Sequence, residues 1–242
     1  MTLKKAYINP IIGGRQLLIG DIHGCSVTFN RLLRNIDLQK DDQLIILGDL
    51  VNKGPDSKSV IDSIIALQES EFEVFVLRGN NESLLMKVLK KNEPRIEGLA
   101  SRFGVISLFK KDRWVIKKKY KAFLKSTLHY LESDGFFAVH AGFDYKSEEP
   151  FNDTFPMLWM KNFKANKHIQ NLKPVIHGHR VLPINKIEKN IRKDKFNIPL
   201  DNGCVLGNED EDYGRLICFD FTNRIIYSER NAESLIEEES PE

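Results

Sequence analysis

The stretch QLLIGDIHG (16–24) joins a short apolar run to a cluster of Gly, Asp and His. A continuous Leu/Ile run of this length favours a β-strand that is buried on both faces, as in a largely parallel sheet. Four further stretches repeat the pattern: QLIILGDLVNKG (43–54), VFVLRGNNE (74–82), GFFAVHAG (135–142) and PVIHGHR (174–180). The repetition predicts an α/β fold in which each buried strand ends in polar side chains.

Helical patterns separate the first three predicted strands. Residues 26–36 carry apolar residues at helical spacing with Ser26 as a candidate N-cap, and residues 56–69 follow Pro55 with an apolar face. The resulting β-α-β-α-β order places the carboxyl ends of the strands at one edge of the sheet, where such folds bind ligands. After residue 180 the pattern turns to β, and two strands joined at TN (222–223) predict a hairpin.

The composition of the whole chain is that of an ordinary globular protein. It has 242 residues with a formal net charge of +2, which fits one large domain over 1–242 and indicates no particular partner. No apolar run approaches membrane-spanning length, and the N-terminus lacks the features of a secretory signal. Three cysteines without CxxC spacing favour a reducing compartment, so we expect a cytoplasmic protein without a membrane partner.

Residues 83–131 interrupt the strand pattern and are interpreted as a helical insertion. Its basic part, KKDRWVIKKKYKAFLK (110–125), interleaves lysines with aromatic residues. We interpret this part as an amphipathic helix with Trp114, Tyr120 and Phe123 packed inward, in preference to a nucleic-acid surface. The C-terminal residues 233–242 are predicted to be a disordered tail.

The polar residues at the predicted strand ends form a metal-binding set. Carboxylates, imidazoles and one amide oxygen together suit borderline divalent metals such as Mn, Fe or Zn better than calcium. The candidates are Asp21, His23, Asp49, Asn80, His140, His177 and His179.

These motifs carry a specific resemblance. GDIHG, GDLVNKGPDS, RGNNE, HAG and HGHR occur here in the order in which the calcineurin-like metallophosphoesterases carry GDxHG, GDxVDRGPDS, RGNHE, HAG and GH. Within that family the chain resembles the small bacterial and phage form of the PPP-type Ser/Thr protein phosphatases. The resemblance implies a four-layer α/β/β/α sandwich and two divalent metal ions, with manganese favoured and iron or zinc as alternatives.

The same resemblance implies how the ligands divide between two metals. Asp21, His23 and Asp49 would hold the first metal, and Asp49 would bridge to the second. Asn80, His140 and His179 would complete the second metal site. His177 is not among these ligands, and we interpret it as structural. Two such ions can lower the pKa of a shared water and aim it at phosphorus.

Two departures from the family pattern affect catalysis. Asn52 stands where the family has Asp, and Asn81 stands where it has the His that protonates the leaving alkoxide. Since a general acid supplies about 10²–10⁴-fold in rate, we expect an attenuated enzyme that is better on aryl phosphates and phosphodiesters than on alkyl phosphomonoesters.

A third departure concerns phosphate binding. Lys53 and Lys161 replace arginines of the family pattern, which keeps the positive charge but loses the bidentate fork. Arg78 remains from the pattern, and Arg180 follows the last ligand. All four are expected to contact substrate phosphate.

The sequence leaves the substrate open. The favoured prediction is a phosphoesterase resembling Ser/Thr protein phosphatases, acting on a phosphorylated protein or a small phosphate ester. The alternatives are a pseudophosphatase that binds a phosphorylated partner without turnover, and a hydrolase of nucleotides or dinucleoside polyphosphates. Cys25 and Cys204 lie beside the motifs and are interpreted as packing residues, because no base accompanies them.

Overall fold

A computed structural model of the chain describes residues 2–91, 96–110, 113–207 and 209–233. These residues form two five-stranded sheets, one two-stranded sheet and the helices that cover them. The strands are β1 (Lys5–Ile8), β2 (Gln16–Ile19), β3 (Gln43–Ile46), β4 (Glu73–Val76), β5 (Phe109–Lys110), β6 (Arg113–Ile116), β7 (Tyr130–Ser133), β8 (Phe137–Val139), β9 (Val175–His177), β10 (Asn197–Pro199), β11 (Arg215–Asp220) and β12 (Ile225–Arg230). The helices are α1 (Ser26–Asn35), α2 (Ser57–Glu69), α3 (Asn80–Lys91), α4 (Ile96–Arg102), α5 (Lys118–Ser126), α6 (Thr154–Trp159) and α7 (Ile184–Arg192).

The order of strands in each sheet places the predicted strand ends together. The first sheet runs β12-β11-β2-β3-β4, and its strands β2, β3 and β4 are parallel. The second sheet runs β1-β7-β8-β9-β10, with β8 and β9 parallel. The five stretches that the sequence singles out therefore form strands, as predicted: β2, β3 and β4 lie in one sheet and β8 and β9 in the other.

The hydrophobic core lies in layers set by the alternation of side chains along the strands. Leu18 and Ile45 face the second sheet, where they pack with Ala138 and Ile176. Their neighbours along β2 and β3 face α1 and α2 on the opposite side. The far side of the second sheet carries an aromatic-rich cluster that includes Met157 of α6. This arrangement confirms the four-layer α/β/β/α sandwich.

The region 83–131 differs in part from the predicted helical insertion. It contains α4 and α5, but β5 and β6 pair as a short antiparallel sheet between them. The predicted continuous helix over 110–125 is therefore wrong in its first half. Tyr120 and Phe123 are buried as expected, whereas Trp114 lies on the strand β6 with 38% of its surface exposed.

The helix starts and the termini add smaller corrections. Ser26 is the first residue of α1 rather than its N-cap, which is Cys25. Glu233 accepts hydrogen bonds from the backbone and hydroxyl of Thr28, so this residue is not part of a disordered tail. The rest of the predicted tail, 234–242, lies outside the described residues. In the described part of the chain, each helix is too short or too polar to cross a membrane.

Candidate metal centre

The candidate ligands meet because loops from both sheets converge at one rim. Gly48 lies between β3 and Asp49 with φ +101°, and a Cβ there would lie 2.6 Å from the backbone nitrogen of Gly79. The loop after β3 and the loop after β4 thus touch through backbone atoms. Close approach of this kind requires glycine, and it brings Asp49 beside the start of α3.

A first group consists of Asp21, His23 and Asp49, whose ligand atoms all lie within 4.8 Å of one another. The Nε2 atom of His23 is 3.9 Å from Oδ2 of Asp21 and 3.7 Å from Oδ2 of Asp49. All three side chains are buried. This is the set that the resemblance implies for the first metal.

A second group consists of Asp49, His140 and His179, again within 4.8 Å. The Nε2 atom of His140 lies 3.6 Å from Oδ1 of Asp49 and 3.0 Å from Oδ1 of Asn80. The rings of His140 and His179 are 5.0 Å apart between centroids. Asp49 is common to both groups, which is the geometry expected of a bridging ligand.

The donor atoms of the second group fit a divalent cation. Nδ1 of His140 lies 2.9 Å from the carbonyl oxygen of Leu47. A proton on Nδ1 satisfies that carbonyl and turns the Nε2 lone pair toward the oxygens of Asn80 and Asp49. Neighbouring ligands at about 2.1 Å from one octahedral ion lie about 3 Å apart, so the observed spacing suits a shared cation.

Burial sets the protonation of these groups. It raises the pKa of Asp21 well above its usual range, with the carboxylates of Asp201 and Asp49 adding to the shift. Burial also raises the pKa of Asp49 to about 6. It lowers the pKa of His140 to about 3, so the imidazole is neutral and can offer a lone pair. A buried carboxylate cluster beside neutral imidazoles is stabilised by added positive charge.

Two buried acids at the rim were missed by sequence reasoning. Glu82 accepts backbone hydrogen bonds from Gly79 and from three successive residues beginning at Asp49, over 2.8–3.1 Å. Glu82 thereby fixes both loops. The sequence signal that could have identified it is an acidic residue in the first turn of a predicted helix, where it can accept backbone hydrogen bonds. Asp201 is buried next to the carboxylates of Asp21 and Asp49 and accepts from the backbone of Gly203.

The two asparagines that depart from the family pattern form one hydrogen-bonded chain. Asn52 donates through Nδ2 to Oδ1 of Asn81 at 2.8 Å, and Asn81 donates through Nδ2 to Oδ2 of Asp49 at 2.7 Å. The backbone N–H of Asn81 donates to the other oxygen of Asp49 at 3.0 Å. Asn81 therefore orients the shared carboxylate, and its amide has no acidic proton to give.

The four cations predicted to contact phosphate lie in different places. Nζ of Lys53 is 2.8 Å from Nε2 of His23, within the centre itself. Lys161 and Arg180 are exposed on the segments after α6 and β9. Arg78 is 2% exposed, and its guanidinium donates to the hydroxyl of Thr127 and to main-chain carbonyls at the end of α5. Arg78 thus joins the loop after β4 to the α5–β7 connection, and its contact with phosphate stays a prediction.

The remaining residues near the motifs have structural surroundings. The ring nitrogens of His177 lie 2.7 Å from Oδ1 of Asn197 and 2.9 Å from the carbonyl oxygen of Gly178. Cys25 and Cys204 are buried and free of disulfides. These surroundings agree with the interpretation of all three as residues that support the fold.

Comparison with known proteins agrees with this geometry. A family profile described as calcineurin-like phosphoesterase matches residues 14–200, which include every candidate metal ligand. The chain belongs to the calcineurin-like phosphoesterase family.

Curated relatives of this calcineurin-like phosphoesterase share part of its sequence. A symmetrical bis(5'-nucleosyl)-tetraphosphatase from Acidovorax sp. is 45% identical over 69 residues, 28% of this chain and 24% of the relative. One from Pseudomonas syringae is 30% identical over 128 residues, 51% of this chain and 39% of the relative. The matched portions thus span well under half of the relatives' own length.

Solved structures match the calcineurin-like phosphoesterase over nearly its full length. A putative diadenosine tetraphosphatase superposes with a TM-score of 0.64 at 22% identity and covers 93% of this chain and 97% of its own. A Ser/Thr protein phosphatase from Saccharomyces cerevisiae gives 0.59 at 12% identity, covering 94% and 83%. At these identities the likeness shows the fold alone.

Proposed function

We propose that the protein is a dinuclear-metal phosphoesterase that cleaves bonds with good leaving groups, with dinucleoside polyphosphates as its substrate class. The observation that carries this proposal is the hydrogen-bonded position of Asn81. Its amide lies between Asp49 and Asn52, where the family pattern has the proton-donating His. An amide cannot supply that proton, so the leaving group must depart unprotonated.

The residues of the centre would have separate roles in catalysis. Two divalent ions, when held by the two groups, supply Lewis acidity and an activated water. Asn81 and Glu82 keep Asp49 and its loop in place through their hydrogen bonds. Lys53, Lys161 and Arg180 would attract the phosphoryl oxygens and balance the negative charge that grows in the transition state.

The leaving group decides which substrates suit such a site. A serine alkoxide is strongly basic, and without a general acid its departure is slowed by about 10²–10⁴-fold. A phosphate group with a second pKa of about 6 departs as an anion at neutral pH. Cleavage of a phosphoanhydride therefore needs little acid catalysis from the residue at position 81, whereas hydrolysis of an alkyl monoester depends on it.

The comparisons support this substrate class without deciding it. The curated relatives cited above carry the name symmetrical bis(5'-nucleosyl)-tetraphosphatase. Dinucleoside polyphosphates are joined by phosphoanhydride bonds, so that name agrees with the leaving-group argument. The Ser/Thr protein phosphatase reading of the sequence stays a prediction, and its alkoxide leaving group suits Asn81 less well.

A leaving-group series on the purified protein with Mn²⁺ tests the proposal. The substrates are diadenosine tetraphosphate, p-nitrophenyl phosphate and a phosphoserine peptide, each compared with the double variant Asn52→Asp/Asn81→His. We expect the variant to gain about 10²–10⁴-fold in kcat/KM on the peptide and little on the other two. A gain of equal size on all three substrates would contradict missing acid catalysis.

The second candidate is a protein that binds a phosphorylated partner without turnover. It is favoured by the joint change of Asn52 and Asn81, which removes a catalytic pair while leaving the candidate ligands in place. Turnover of diadenosine tetraphosphate that is abolished by Asp49→Ala would exclude it. Absence of turnover on every substrate, with retained phosphopeptide binding, would favour it.

A further inference from the structure

A cleft of about 390 Å³ lies between α7 and the second sheet. Its walls are α7 and the ends of β9 and β10, with Asn190 and Asn197 among the residues that line it. His177 and Arg180 also line the cleft. They flank the candidate ligand His179 in sequence, so the cleft begins next to the second ligand group.

The polar lining of this cleft is cationic. Four basic side chains surround it, from Arg180, Lys186, Lys189 and Lys195, and the lining contains no carboxylate. Lys186 and Lys189 are three residues apart on α7, so they share one face of the helix. The opposite face of α7 packs into the core through Ile187 and Ile191.

These four cations are not neutralised within the part of the chain that the structure describes. Two acids next to these residues in sequence have other partners: Glu188 pairs with Arg192 at 3.8 Å, and Asp194 pairs with Arg224. A concave site with unpaired cations and amide donors is complementary to a multiply charged anion. Oligophosphate has both the charge density and the acceptor oxygens to match.

We propose that the cleft binds the distal phosphates of the substrate, while the phosphorus under attack lies at the metal centre. This proposal rests on the proposed function and deepens it, because a phosphomonoester carries no distal phosphate. Arg180 follows the candidate ligand His179 and lines the cleft, so linked phosphates would pass from the centre to α7 by way of Arg180. The cleft would then select oligophosphates over monoesters.

Calorimetric titration of the metal-free protein tests the cleft apart from catalysis. Inorganic tripolyphosphate and diadenosine tetraphosphate are each titrated into the chelated wild type, into Lys186→Ala/Lys189→Ala, and into the control Arg192→Ala/Lys193→Ala. The control removes the same charge from the end of the same helix, at exposed residues that do not line the cleft. We expect both ligands to bind the wild type and the control equally, and the cleft variant about tenfold more weakly.

Equal affinity of the wild type and the cleft variant would overturn the proposal, as would no binding by the wild type. Weaker binding of tripolyphosphate alone, with diadenosine tetraphosphate unaffected, would assign the cleft to a free oligophosphate and overturn its role in substrate binding. These affinities do not depend on turnover. A result that contradicts the proposed function in the leaving-group series can therefore be distinguished from a calorimetric result that contradicts the cleft proposal.

Discussion

Asn81 stands where the motif RGNHE, which the sequence resembles, has His, and the structure gives Asn81 hydrogen bonds of its own. The sequence predicts that a proton donor is missing at this position. The hydrogen bonds to both oxygens of Asp49 further indicate that Asn81 orients the carboxylate shared by the two ligand groups. Substitution at this position would therefore change both the chemistry and the geometry of the centre.

The coupling between Asn52 and Asn81 can be measured directly. We expect the double variant Asn52→Asp/Asn81→His to gain more in rate on a phosphoserine peptide than the two single variants gain in sum. The reason is that a carboxylate at position 52 would act on an imidazole at position 81, by orienting the ring and stabilising its protonated form. A double-mutant cycle on kcat/KM measures this coupling, and additive effects would show that the two positions act independently.

Gly178 provides a second test at a residue that is not itself a candidate ligand. A Cβ there would lie 1.9 Å from Oδ1 of Asp21, so Gly178→Ala must displace that carboxylate. We expect the affinity for Mn²⁺, measured calorimetrically, to fall by about 10–100-fold, the usual cost of disturbing a ligand's support. Gly98→Ala is the matched control, because a Cβ at Gly98 meets nothing within 4 Å. Unchanged affinity in Gly178→Ala would mean that Asp21 holds no metal.

The clustering of the candidate ligands was predictable because it depends on strand ends, which the apolar runs mark clearly. The placement of Glu82 and Arg78 was not predictable in the same way. Each bonds to groups that are distant in sequence, about 30 residues away for Glu82 and about 50 for Arg78. Their roles depend on which loops touch, and the spacing of motifs does not carry that information.

At the scale of elements, the sequence predicts the five strands that carry continuous apolar runs, and it also predicts the hairpin that β11 and β12 form. β1 was missed because it is an edge strand with half-exposed residues, and its KAYI sequence has no apolar run. The short β5–β6 sheet was missed for a related reason. Trp114 and Val115 on β6 remain exposed. Their apolar side chains therefore led the sequence analysis to predict a buried helical face where the chain forms an exposed strand.

The alignment of β2 with β3 depends partly on an ion pair at their starts. Arg15 precedes β2 and Asp42 precedes β3, and Asp42 accepts hydrogen bonds from the backbone and Nε of Arg15 at 3.0 and 2.9 Å. Burial alone would raise the pKa of Asp42. The hydrogen bonds from Arg15 and from the backbone of Gln39 outweigh that effect, so the pKa is lowered.

This shift predicts how stability depends on pH. A carboxylate with a lowered pKa stabilises the fold above its unfolded pKa of about 3.9, and that contribution is lost as the pH falls through the folded pKa. We expect Asp42→Asn to lower the free energy of unfolding by about 1–2 kcal/mol at pH 7, and the difference from wild type to shrink below pH 4. Denaturant unfolding across pH measures this, with the exposed Asp41→Asn as control. A difference that does not change with pH would contradict the argument.

At the scale of the whole molecule, the two sheets have separate tasks in building the centre. The first sheet presents Asp21, His23 and Asp49, and the second presents His140 and His179. The core between the sheets therefore fixes how far His140 and His179 lie from Asp49. Buried carboxylates at this rim cost stability unless positive charge accompanies them, so metal binding and the stability of the fold are expected to be linked.

The most direct test is a crystal structure of the manganese-soaked protein with anomalous scattering measured at the Mn edge. The account predicts two anomalous peaks about 3.5–4 Å apart, with Asp49 between them. The ligands would be Asp21 and His23 on one side and Asn80, His140 and His179 on the other. A single peak, or manganese bound away from these side chains, would contradict the dinuclear centre.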